Sequence, residues 1–135
     1  MTLVILIQRI RLYQMPERRH RRHHSHSKRG YMIKINISEY SISADGHAGY
    51  AEYGKDIVCS AVTGLLYTMA ECIRQENDVG HLRDMEITLE PGHAVITAVP
   101  VREYGERLSA MFYTVKTGLA IVTEMYPDYV HIENF

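Results

Sequence analysis

Between Ile57 and Ile73 the apolar residues return every fourth position, as Ile57/Val58, Ala61/Val62, Leu65/Leu66, Met69/Ala70 and Ile73. A stripe with that period belongs to an amphipathic helix, and it needs a second apolar layer to cover it. Asp56, just before the stripe, is a strong N-cap, because a side-chain oxygen there accepts one of the N–H groups that a first helical turn leaves without a partner. The spacing predicts a helix over 57–76.

The covering layer is legible on both sides of that helix. Ile33, Ile35 and Ile37 alternate with polar residues, and Tyr40, Ile42 and Ala44 do so again after a short turn, the pattern of half-buried strands. Met85, Ile87 and Leu89 alternate toward Pro91-Gly92, and residues 94–99 return from that turn, which predicts a hairpin. A second helical stripe follows in Leu108, Met111, Phe112, Val115, Leu119 and Val122, with Pro127 closing it and Tyr129 to Glu133 left as a last strand. The predicted order is ββαββαβ. Two helices packed on one face of a mixed, mostly antiparallel sheet bury both stripes most simply, so the fold class expected is α+β. A chain of 135 residues, 46% hydrophobic, holds one such domain and hardly two.

Residues 1–31 stand apart from residues 32–135. They carry eight Lys/Arg against Glu17 alone, a charge of +7, including the run Arg18-Arg19-His20-Arg21-Arg22-His23-His24-Ser25-His26-Ser27-Lys28-Arg29. Such a run cannot bury a core, so this segment is expected to be a disordered extension, or one that is not native if translation begins at Met32. A metal-binding histidine cluster or an RNA-binding arm would need a ligand geometry or interleaved aromatics that the run does not have.

The remainder has seven Lys/Arg against fifteen Asp/Glu, a charge of -8. That balance repels phosphates and attracts basic proteins, so a basic protein is the expected partner and direct nucleic-acid binding is not expected. No apolar run approaches the roughly 20 residues that span a bilayer, so no membrane partner is expected. Two cysteines without a CxxC spacing or a Cys/His quartet point to a reducing cytoplasm, with no disulfide, no metal and no cofactor.

The chemistry concentrates where the second strand gives way to the first helix. Residues 45–55, Asp45-Gly46-His47-Ala48-Gly49-Tyr50-Ala51-Glu52-Tyr53-Gly54-Lys55, carry three glycines and no sustained period, and read as a mobile loop. With Asp56 as cap, Cys59 is the third helical residue, where unpaired N–H groups and the helix dipole favour negative charge and hence a thiolate. The backbone N–H groups of Cys59 and Ser60 are candidates for an oxyanion hole. The competing reading is a packed thiol, since free cysteine is among the most buried residues. Cys72 lies mid-helix without such help, about 20 Å along the axis by helix rise, and reads as structural.

His47 is the best-placed base, because its loop can fold back over the helix start. His81, His93 and His131 are rivals. His93 repeats the triplet as Gly92-His93-Ala94, but it borders the hairpin turn, far in sequence from the helix start, and is read as a decoy. His131 is read as a surface residue. Asp56 is open to two readings, a pure cap or a cap that also orients His47. Tyr50 and Tyr53 either line a substrate groove or pack the loop.

Gly46-His47-Ala48, an eleven-residue gap, and Cys59 within Asp56-Ile57-Val58-Cys59-Ser60-Ala61-Val62 resemble the signature of the ribosomal-processing cysteine protease family Prp. The similarity runs over Met32 to Phe135. It implies a homodimeric endopeptidase that removes an N-terminal extension from large-subunit ribosomal protein twenty-seven, cutting after an aromatic residue with a Cys-His dyad of Cys59 and His47. In the family a small hydroxyl residue, usually Ser, follows the nucleophile by one helical turn, and here that place holds Thr63. The alternative from another class is a non-enzymatic ribosome-associated module that binds a basic protein through the same acidic surface.

Overall fold

The computed structural model describes residues 31–52 and 54–134. The expectations for the basic segment 1–30 and for Tyr53 lie outside the described residues. The elements run β1 (Ile33–Ser38), β2 (Ser41–Asp45), α1 (Ile57–Asp78), β3 (Leu82–Glu90), β4 (His93–Pro100), a short 3-10 turn (Arg102–Tyr104), α2 (Gly105–Met125) and β5 (Val130–Ile132).

The five strands form one sheet in the order β3-β4-β2-β1-β5. The β1–β2, β2–β4 and β3–β4 pairs are antiparallel, and β5 lies parallel to β1. Register explains why one face is buried. Ile35 pairs with Ala44, Ile42 with Ile96, and Ala44 with Ala94, and cross-strand partners share a face. These residues, with Ile33, Ala98, Val130 and Ile132, are buried against Val58, Val62, Leu66, Met69, Ala70 and Ile73 of α1 and Leu108, Phe112, Val115, Leu119 and Val122 of α2. The result is the α+β, two-layer, mostly antiparallel arrangement that the periodicities require.

Two helix boundaries have local causes. Helix α1 continues past 76 to Asp78 and ends where Gly80 takes a left-handed φ of +79°, a conformation that costs glycine little. Helix α2 begins without a side-chain cap, led in by the 3-10 turn, so it had no start signal in the sequence. One expectation needs correcting. Helix α1, with 22 residues, is long and apolar enough to cross a membrane by length and composition, because its few charges gather near its C-terminal end. Its apolar stripe is instead part of the core beneath the sheet.

Candidate active site

The loop after β2 is built around its small residues. Gly46 has φ +99°, and a Cβ there would collide with the carbonyl oxygen of Met32, so only glycine lets the chain turn off the sheet at that point. Ala48 is fully buried and anchors the loop to the core, which leaves the flanking His47 exposed. Gly46 N–H donates to the carbonyl of Gly92 at 2.9 Å, tying the loop to the β3–β4 turn.

At the other end of the loop, Asp56 caps α1. One carboxylate oxygen accepts the Cys59 N–H at 2.8 Å, and the other accepts the Tyr50 N–H at 3.0 Å. Asp56 is therefore both cap and loop tether, and among the described residues no hydrogen bond joins it to His47. The Tyr50 ring makes edge contacts with Tyr126 and Tyr129, at centroid distances of 5.7 and 5.2 Å. It packs the loop against the end of α2 and the approach to β5.

These elements enclose a cleft of about 720 Å³ lined by Tyr31, His47, Gly49, Ala51, Gly54, Asp56, Cys59, Ser60, Thr63 and Gly64. His47, Asp56, Cys59, Ser60 and Thr63 thus share one cavity, while Gly46 and Tyr50 shape the loop from outside it. Cys59 is half-buried at the cavity wall, and Thr63 lies one turn further along the same face. The His47 ring points its Nε2 edge at Gly92, and among the described residues no hydrogen bond joins it to Cys59.

The proposed oxyanion donors require a correction. Cys59 N–H is committed to the Asp56 carboxylate and Ser60 N–H to the Asp56 carbonyl at 3.0 Å, so neither is free for substrate in this conformation. What the cavity offers instead is the hydroxyls of Ser60 and Thr63, together with the positive end of the α1 dipole.

Two residues of the cleft were not singled out from the sequence. Tyr31, assigned to the extension, lines the cleft and packs on Gly49. Gly64 lines it as well, and its place one helical turn past Ser60 was the available signal. His93 borders the hairpin turn as expected and does not line the cleft, and its cross-strand partner is Asp45 at the root of the His47 loop, with Nδ1 2.6 Å from the Asp45 carboxylate. That carboxylate raises the His93 pKa, by hydrogen bond first and by charge as well. His81 serves the core: it stacks on Tyr104 at 3.6 Å and hydrogen-bonds buried Glu76 at 2.6 Å. His131 and Cys72 are exposed and half-buried respectively.

Comparison with known proteins points in one direction. Residues 32–131 match the family model described as cysteine protease Prp. The ribosomal processing cysteine protease Prp of Mycoplasma genitalium is 31% identical over 101 residues, covering 75% of this chain and 94% of that protein. Its counterpart in Mycoplasma pneumoniae is 27% identical over 103 residues, covering 76% and 95%. Among solved structures, the fold is shared with the ribosomal processing protease Prp from S. aureus in complex with a covalently linked product peptide. The TM-score is 0.57 at 22% identity, over 75% of this chain and 95% of that one. SMU.848 from Streptococcus mutans aligns equally well, with TM-score 0.57, 23% identity, and coverage of 77% and 94%.

Proposed function

The chain belongs to the cysteine protease Prp family, and on that premise we propose that it is an endopeptidase in which Cys59 is the nucleophile and His47 the base. The single observation that carries the assignment of residues is their shared cavity: a thiol in the first turn of α1 and an imidazole on the facing loop line the same 720 Å³ cleft. A thiol attacks a carbonyl as its thiolate. A neighbouring imidazole can accept its proton.

The reaction is acyl transfer. His47 takes the Cys59 proton, Sγ attacks the scissile carbonyl, and the tetrahedral oxyanion is held by the hydroxyls of Ser60 and Thr63 at the helix start. Collapse expels the leaving amine with a proton from His47, and water then attacks the thioester with His47 as base again. His47 reaches Cys59 by rotation of its side chain, its backbone held between Gly46, tethered to Gly92, and Ala48, anchored in the core.

The substrate in this reading is large-subunit ribosomal protein twenty-seven with an N-terminal extension, cut after an aromatic residue, by a homodimer in the cytoplasm. Two observations support it. The named relatives are ribosomal processing proteases, and the body of this chain carries -8, suited to a basic ribosomal protein. Incubating the full-length ribosomal protein with the wild-type chain and weighing the product tests it: one cut near the N-terminus, after an aromatic residue, is expected. An intact substrate would overturn it.

A further inference from the structure

We propose that the Pro91-Gly92 turn and the Asp45–His93 pair form a seat that positions His47, which makes Gly92 and His93 positioning residues for the reaction. The inference rests on the reading of His47 as the base.

Three contacts converge on one spot. A Cβ built on Gly92 would lie 2.7 Å from His47 Nε2, 3.2 Å from Cε1 and 3.4 Å from Cδ2, so the edge of the imidazole lies directly on the glycine backbone. Any other residue would push the ring away. The carbonyl of the same glycine accepts the Gly46 N–H at 2.9 Å, fixing the residue just before His47. Flanking both glycines, Asp45 and His93 are paired in register and joined by a 2.6 Å hydrogen bond, which closes the sheet at the point where the loop departs.

The hairpin is thus more than a connection. A base on a glycine-rich loop has no rigid element of its own to set where its ring rests between turns of the reaction. The β3–β4 turn supplies one from the far side of the ring. His47 leaves a defined platform when it turns to Cys59 and returns to it afterwards, so the loop samples few unproductive positions.

The test is the rate at which iodoacetamide alkylates Cys59 near neutral pH, with Cys72 in the same molecule as internal standard and mass spectrometry to separate the two. Gly92→Ala is compared with Gly80→Ala, because Gly80 has nearly the same φ, +79° against +75°, yet nothing lies within 4 Å of a Cβ there. Both variants take the same backbone strain. Only the first disturbs His47. A reduction of threefold or more in Cys59 alkylation is expected for Gly92→Ala, with Gly80→Ala at the wild-type rate. His93→Ala should slow the reaction also, and His93→Asn, which keeps a donor to Asp45, should restore it.

His47→Ala run in parallel separates the two readings. If it slows alkylation tenfold while Gly92→Ala and His93→Ala leave it unchanged, the seat is wrong and the base assignment stands. If His47→Ala itself has no effect, the base assignment fails and the seat with it. Should Gly92→Ala not fold, the His93→Ala and His93→Asn pair decides: equal rates for the two would overturn the proposal.

Discussion

The Asp56 carboxylate accepts the backbone N–H of Cys59 at 2.8 Å, so the residue that starts the helix also fixes the backbone of the candidate nucleophile. Its second oxygen holds Tyr50 N–H at 3.0 Å. One side chain therefore couples helix start and loop, and the two duties can be separated. Asp56→Ala loses both, with a stability cost of about 1 kcal/mol for the cap. Asp56→Asn keeps one acceptor for Cys59 N–H but replaces the other with a donor that Tyr50 N–H cannot use. Thermal melts should show Asn close to wild type and Ala clearly lower, while peptide cleavage falls in both.

A second prediction concerns acid. Buried Glu76 is gripped by the Arg107 guanidinium, with contacts at 2.8 and 3.0 Å, and by His81. Arg107 foremost, against the opposing effect of burial and with help from His81, lowers the Glu76 pKa from 4.5 to about 2. The folded value lies below the unfolded one, so the stabilisation is complete above about pH 4.5 and drains away as pH falls toward 2. The shift corresponds to on the order of 3 kcal/mol. Urea titrations between pH 5 and pH 2 should show wild type losing that much more than Glu76→Gln. Parallel losses in the two would show that this cluster does not govern acid stability.

Gly64 offers a third. It sits inside α1 with nothing within 4 Å of a Cβ, and it faces the cleft. Alanine there should stabilise the helix by about 0.5–1 kcal/mol. The added methyl narrows the cleft one turn past Ser60, so KM should rise as the melting temperature rises. A more stable variant with unchanged KM would show that substrate does not approach the helix at this turn.

The architecture was legible in the sequence wherever burial follows a period. The α1 stripe, the alternations at Ile33–Ile37 and Met85–Leu89, and the Pro91-Gly92 turn all reappear in the fold because each is set by neighbours a few residues away. The Asp56 cap was legible for the same reason. What depended on the path of the chain through space was not. His93 was set aside for its distance in sequence from the helix start, yet sheet register brings it to the root of the His47 loop. The oxyanion assignment to Cys59 and Ser60 N–H overlooked that the cap and the first helical bond would claim them. Tyr31 precedes the first regular strand and gave no periodic signal at all.

The body's charge of -8 leads to a prediction about rate. Association with a basic substrate should be steered by long-range attraction, which salt screens over about 8–10 Å at physiological strength. The measured kcat/KM should fall as sodium chloride rises from 50 to 300 mM, with kcat little changed. A salt-independent kcat/KM would remove charge steering from the account.

The two cysteines test the central claim most directly. Wild type, Cys59→Ala and Cys72→Ser are each incubated with the extended ribosomal protein, and the products are weighed by intact-mass spectrometry. The account predicts the same single truncation from wild type and Cys72→Ser, and none from Cys59→Ala. Truncation by Cys59→Ala, at the same site and rate as wild type, would contradict it.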